Sequence, residues 1–314
     1  MIKQRFNPNV MKIKQILLTT FLVLISLITA DKAQAQVSNS IDSNKVYVII
    51  KNDGSEFIGK IISSDMREVI METQKLGAIA IPKHEIKEIK LLQTGDLGVA
   101  GGFIPNEPFA TRYFITTNGL PIAKGESYIT YNWFGPDIQY GLADNLGVGI
   151  ITSWIGSPII LTSKYSFEID KNVNAAVGLL VGTGGYASSF GLAIPYGSLT
   201  LGNRKSNITA SLGYGSIWGN ENNAGGRTIV SIAGMHKLSK SISLVFDSFI
   251  LPPTKTFVDS YSGRLYNNNF ALFLPGFRFQ TSVSGAFQFG FAGASVGNEI
   301  GGLPFPYVQW FRKF

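Results

Sequence analysis

Beyond residue 126 the chain repeats one pattern. Apolar and polar positions alternate for six to thirteen residues, and a turn follows. A period of two sends successive side chains to opposite faces of a strand. In 207–218, Ile208, Ala210, Leu212 and Tyr214 take one face; Asn207, Thr209, Ser211 and Gly213 take the other. In 159–168, Ile159, Leu161, Tyr165 and Phe167 oppose Thr162, Lys164, Ser166 and Glu168. In 173–183, Val173, Val177, Leu179 and Val181 oppose Asn174, Gly178 and Gly182, and in 286–296 three Phe oppose Gln288, Gly290 and Ala292. The pattern predicts twelve strands: 127–133, 137–142, 146–155, 159–168, 173–183, 190–202, 207–218, 228–238, 242–251, 269–281, 286–296 and 305–314. Ten or fourteen are also compatible. Only Gly135-Pro136 separates the first two, and Pro195 falls inside the sixth, where it cannot donate to a ladder.

The connections sort into two kinds. Alternate ones are tight and polar: 143–145, 170–172, 203–206, 239–241 and 282–285. The others are Gly/Pro-rich and several are longer: 156–158, 184–189, 219–227, 252–268 and 297–304. All tight turns then fall at one end, together with the start and the finish of the series. Outer-membrane barrels have this asymmetry, with short periplasmic turns and longer external loops. Aromatics near strand ends (Trp133, Trp154, Phe167, Phe190, Trp218, Phe249, Tyr307, Trp310) suit interfacial girdles.

Composition agrees. Charged residues are 15% of the 314, well below the roughly 25% of soluble domains, while 35 Gly and 38 aromatics are many. No internal stretch approaches the roughly 20 apolar residues of a membrane helix, so any spanning structure must be a closed sheet. The leader reads as a signal peptide over 1–35. Lys12 and Lys14 precede an apolar run over 16–28, and Ala33-Gln34-Ala35 is a small-x-small cleavage site. Met1 and Met11 are both possible starts. Five of the 27 basic and one of the 20 acidic residues lie in this leader, leaving 22 and 19. The net charge of +7 therefore gives no support for a nucleic-acid partner. Absence of Cys excludes a disulfide scaffold and a lipidated N-terminal Cys.

After a polar, disordered linker over 36–45, residues 46–92 form a compact β-rich unit. Strands are predicted at 46–51, 56–62, 67–73, 78–81 and 86–92, with Asn52-Asp53-Gly54 and Ser63-Ser64-Asp65 as turns. Asp53-Gly54, Gly59 in mid-strand and Ile81-Pro82 before the last strand resemble the small SH3-like or Sm-like barrels. That likeness implies an RNA-binding version. Yet Lys60, Lys83, Lys87 and Lys90 interleave with Glu56, Glu85 and Glu88, with no aromatic platform, and the leader directs the unit to the periplasm. A periplasmic module for a protein partner, or for docking on the barrel, is the expectation.

Residues 93–126 are Gly- and Pro-rich and read as a linker and pre-barrel segment, yet the second half is aromatic. Arg112-Tyr113-Phe114 and Lys124-Gly125-Glu126 resemble a stretch found before the barrel in uncharacterised outer-membrane proteins of Gram-negative bacteria. The resemblance runs to the C-terminus and implies no activity. The segment is expected at the turn-end rim or inside the mouth. "PYVQWFRKF" resembles the terminal strand read by barrel-assembly machinery, through Val308, Trp310 and Phe314, while Arg312 departs from it.

The whole is thus an all-β chain. A transmembrane antiparallel up-and-down barrel of about twelve strands, embedded in outer-membrane lipid, follows a small periplasmic β-domain. Alternation turns Gln139, Lys164, Glu168, Asn174, Asp247, Arg278 and Gln288 inward. Lys164, Glu168, Asp247 and Arg278 are expected to form a transverse charge network that constricts or seals the lumen. Chemistry is sparse. Two His, His84 and His236, offer no metal-ligand spacing. Ser231 and Ser243 near His236 lack the context of a lipid hydrolase. No catalytic, cofactor or metal site is assigned. The reading is a passive pore for small solutes. The alternatives are a non-conducting structural or interaction protein, using the β-module or the loop 252–268, and, third, a lipid-modifying enzyme.

Overall fold

The computed structural model describes residues 42, 44–92, 97, 103–219, 226–254, 256–258, 265–282, 284–297 and 299–314. The leader, and most of the linker that follows it, lie outside these residues.

Five short strands come first: β1 (Val46–Lys51), β2 (Glu56–Ser64), β3 (Glu68–Thr73), β4 (Gly77–Pro82) and β5 (Ile86–Leu91). They form one antiparallel sheet in the order β4-β3-β2-β1-β5. Apolar alternation buries Ile49, Ile61, Val69, Met71 and Ile81 on one face. The turns follow from their residues. Gly54 takes φ +86°, open to glycine at no steric cost. The Asp65 carboxylate accepts the backbone N–H groups of Glu68 and Arg67 at 2.8 and 2.7 Å, which hold its pKa below the ordinary aspartate value. A one-turn 3-10 helix, Lys83–Glu85, joins β4 to β5.

Twelve further strands close a barrel. They are β6 (Ser127–Asn132), β7 (Pro136–Ala143), β8 (Leu146–Thr152), β9 (Ile159–Asp170), β10 (Val173–Gly184), β11 (Ala187–Gly202), β12 (Ser206–Trp218), β13 (Arg227–Lys237) and β14 (Ile242–Leu251). A two-stranded hairpin, β15 (Thr256–Val258) and β16 (Leu265–Asn267), lies in the predicted loop 252–268. The series ends with β17 (Phe270–Ser282), β18 (Gly285–Val296) and β19 (Glu299–Lys313). Each barrel strand pairs antiparallel with the next, and β19 closes on β6 through Gln309↔Asn132 to Lys313↔Tyr128. Twelve is therefore the count, neither ten nor fourteen. β19 begins earlier than predicted, with a register shift against β18 between Ala292 and Ala294.

Pro195 is accommodated in a way the sequence did not show. It pairs with Leu179 on β10, while the β11–β12 register passes from Ala193↔Ser216 to Tyr196↔Gly213 and skips it. A residue without an N–H sits where the ladder is interrupted, facing outward.

The outer face is apolar. Leu142, Leu161, Ile208 and Leu212 are each more than half exposed. Leaving such a surface in water costs about 25 cal/mol per Å2, so hydrocarbon is its natural solvent. Aromatics gather at the ends of the band. At the end carrying the longer loops Trp154 stacks on Tyr131 at 6.2 Å and donates Nε1–H to the carbonyls of Asn132 and Trp133. Trp310 packs on Phe287 at 5.3 Å towards the end with the tight turns. These are called the loop end and the turn end below.

Gly59 tests the packing of the first sheet. A Cβ there would lie 2.1 Å from the Glu72 carbonyl oxygen. Gly59→Val is expected to destabilise this sheet by about 1–3 kcal/mol, the usual cost of overpacking. Limited proteolysis should show rapid cleavage within 46–91, with the barrel still resistant.

Candidate functional site

The inward positions of the strands converge on a lumen, and the lumen is occupied. Residues 103–126, expected as a linker, rim or mouth segment, run up into the barrel before β6 begins. Phe109, Ala110, Tyr113 and Phe114 are almost wholly buried there. The segment has little regular structure of its own; a few turns satisfy some of its N–H and C=O groups, as in Arg112 to Phe109 and Tyr113 to Thr116, and the remaining buried ones must be satisfied by the wall. The inward polar residues meet that need.

Asp247 accepts the backbone N–H of Ile115 at 2.6 Å and of Thr116 at 2.8 Å, and the Thr116 hydroxyl at 2.6 Å. Arg278 donates to the carbonyls of Phe109 at 2.7 Å and Arg112 at 2.6 Å, and through Nε to Gln288 at 2.7 Å. Gln288 donates to the Tyr113 carbonyl and to the Gln309 side chain. Gln309 donates to the Phe114 carbonyl at 2.7 Å. Lys164 places its ammonium on the carbonyls of Asn118 and Leu120 and on the Thr117 hydroxyl, at 2.9–3.1 Å. Gly119 donates its N–H to Thr200.

Ion pairs complete the fit. Arg112 meets Asp137 of β7 at 2.6 Å. Glu107 meets Lys237 at 3.0 Å and Arg278 at 3.8 Å, all three buried, and accepts from Ser243. At the turn end Glu126 takes both Arg204 and Lys313. The Arg112-Tyr113-Phe114 element lies inside the barrel against the wall. Tyr113 donates its hydroxyl to Asn207 at 2.5 Å and contacts Thr209 at 2.7 Å. Phe114 enters a notch made by two facing glycines. A Cβ on Gly276 or Gly290 would lie 2.7 or 2.6 Å from its ring.

The expected charge network therefore takes another form. Among the described residues no ion pair joins any two of Lys164, Glu168, Asp247 and Arg278. Three of them bind the backbone of the inner segment. Glu168 is exposed and borders a polar recess of about 470 Å3 at the turn end, beside Asn174, Arg204 and His236. Hydrogen bonds from carbonyls and amides to an ionised group are stronger than those between neutral groups. Gln139 lies inside, donating to Asp137 at 2.6 Å. Glu107, Asp137, Lys237 and Gln309 were not foreseen, although for the last three inward parity on their strands was the available signal; Asn207 lies on the polar face expected of it.

Val308, Trp310 and Phe314 alternate on the outer face of β19, opposite the buried Tyr307, Gln309 and Phe311. The Phe314 carbonyl accepts from the Ser127 hydroxyl, which ties the last residue to the first barrel strand. His236 lies on the outer face, its Nδ1 3.1 Å from Ser206 Oγ across the β12–β13 ladder. Neither Ser231 nor Ser243 is its partner; both face inward. His84 is exposed, 3.9 Å from Glu85. Among the described residues no cluster of three or more His, Asp or Glu could hold a metal.

The sequence matches no known protein family and no curated protein. Solved structures with some likeness include the NanC porin, at 9% identity and a TM-score of 0.39, covering 60% of this chain and 98% of that one. Another is the outer-membrane expressed OmpT of Vibrio cholerae, at 9% identity and a TM-score of 0.34, covering 86% and 95%. Resemblance this remote carries no activity across.

Asp247 has the most direct readout. Asp247→Ala leaves two buried amide donors and a hydroxyl without their acceptor, at about 1–3 kcal/mol for each stranded group. Hydrogen exchange at Ile115 and Thr116 should accelerate by at least about tenfold, while amides of β17 and β18 remain protected. Unchanged exchange at both positions would mean that Asp247 does not hold the segment.

Proposed function

We propose that this chain is an outer-membrane barrel shut by its own residues 103–126, a non-conducting anchor for the five-stranded unit at its N-terminal side. One observation carries this reading. Four of the inward polar residues that would line a solute path, Lys164, Asp247, Arg278 and Gln288, are bonded to the backbone of the inner segment. A passive pore would leave them hydrated.

The remaining parts fit. The apolar outer face and the turn and loop asymmetry favour an outer membrane, reached through the leader over 1–35. The outward face of Val308, Trp310 and Phe314 suits recognition by assembly machinery. The tight turns mark the periplasmic end, and the segment joining the five-stranded unit to the barrel enters there. Lys240, in one of those turns, pairs with Glu56 of β2, so the unit would sit in the periplasm against the barrel. The strand order β4-β3-β2-β1-β5, with a 3-10 turn before the last strand, supports its kinship with SH3-like barrels. A protein partner is the class of ligand such a unit would offer its edges to.

Planar-bilayer recording separates anchor from pore. The intact protein should show no steady conductance. The double variant Asp247→Ala/Arg278→Ala, which removes the main holds on the segment, should show intermittent openings. Steady conductance from the intact protein would overturn the proposal.

A further inference from the structure

The inner segment does not fill the barrel evenly. Phe114 and its neighbours lie against β17, β18 and β19, in the notch of Gly276 and Gly290. On the opposite wall a cavity of about 150 Å3 remains, bounded below by Arg112 and Ile115–Thr117 of the segment. Its sides are Ile151, Leu180, Ile194, Ile229 and Phe249, from β8, β10, β11, β13 and β14. All but the central Ile194 stand on the loop-end half of their strands.

Inward positions nearer the turn end mix polar residues, among them Thr200, Asn207, Lys237 and Arg278, with apolar ones such as Met235, Val245 and Phe311, and both kinds are buried against the inner segment. Nearer the loop end the five residues named above are apolar, and each is only half-buried. A water-filled vestibule gains nothing from aliphatic walls, since wetting them carries the same cost per area as wetting the outer face. Polar side chains line the space as well, among them Gln139, Thr162, Lys164, Tyr196 and Ser231, but the surface presented to it is mostly apolar. Ser211, on the β12 side, has a buried hydroxyl with no hydrogen-bond partner, and so has Nε of Arg112 at the floor. A mostly apolar cavity with one or two convergent polar groups is the usual form of a small-molecule site. Buried polar atoms without partners are rare enough to require a reason.

The geometry points to a binding site in this loop-end chamber for a small amphipathic molecule. Its apolar body would be about the size of a benzene ring or a short alkyl chain, with one hydrogen-bonding head. The size follows from the volume, since a cavity of about 150 Å3 lined by aliphatic side chains admits benzene. The head would turn to polar side chains of the lining, Gln139 and Tyr196 among them, while the body lies against Leu180, Ile194 and Ile229. The site needs the inner segment as its floor but not the anchoring role, so it goes beyond the function proposed above.

Fluorine NMR with 4-fluorobenzyl alcohol, on the intact protein in lipid nanodiscs, tests it. A bound resonance distinct from the lipid-partitioned one is expected. Leu180→Trp puts an indole into the chamber and should weaken binding by about tenfold or more. Val181→Trp, one residue along and facing lipid, should leave it unchanged. Heat-modifiable gel mobility identifies folded samples, and bilayer conductance on the same samples reads the seal separately. No bound resonance in the intact protein, or equal binding in the two Trp variants, would overturn the site.

Discussion

A backbone that enters a barrel away from bulk water must have its polar groups satisfied by the wall, and this requirement organises the whole structure. The strands meet it among themselves by closing, β19 on β6. The inner segment does so only at a few turns and one isolated bridge, Arg112 to Thr117, because it forms no extended ladder and no helix. Its amides and carbonyls are met by Asp247, Arg278, Lys164, Gln288 and Gln309, which reach in from five different strands. Each reaches in only because it falls on the inward parity of its strand. A register slip of one residue would turn these groups into hydrocarbon and leave the segment without partners. Barrel register and segment seating are therefore a single constraint, met at many points.

The same economy explains the glycines at the contact. Gly276 and Gly290 lie in adjacent strands, where side chains would project inward. Their absence makes room for the Phe114 ring, so the segment approaches that wall closely. The opposite wall keeps its side chains, and space remains there. The asymmetric lumen, packed on one side and hollow on the other, follows from where side chains were omitted.

Much of the barrel was legible in the sequence because period two and turn chemistry act locally. Ile208 through Tyr214 announce their face with no knowledge of the neighbouring strand. The inward set from Gln139 to Gln288 follows from the same parity. The partners of that set were not legible. Lys164 and Arg278 were matched with Glu168 and Asp247 because a sequence displays side-chain charges and conceals backbone dipoles. The acceptors at Phe109, Arg112, Asn118 and Leu120 are main-chain carbonyls, which every residue carries whatever its side chain. The inner segment escaped for a related reason. It has no period, and Gly and Pro before an aromatic stretch describe a tether as well as an insert. Pro195 counted against a strand only because the interruption that receives it lies in the pairing with β12, a property of two strands together.

The inner segment precedes β6 in the chain, and β6 is one of the two strands that meet at the closing seam. A ring of strands completed first would confront this segment with a finished wall and would have to admit its aromatic side chains past the turn end. A segment already lying against the open sheet meets no such obstacle. It binds residues of β9, β11, β12, β14, β17, β18 and β19 at once, and can gather strands far apart in sequence before the seam forms. The chain order thus gives residues 103–126 the properties of an internal mandrel around which the barrel is wound. The Ser127–Phe314 contact lies at that seam, where the first and last barrel strands meet.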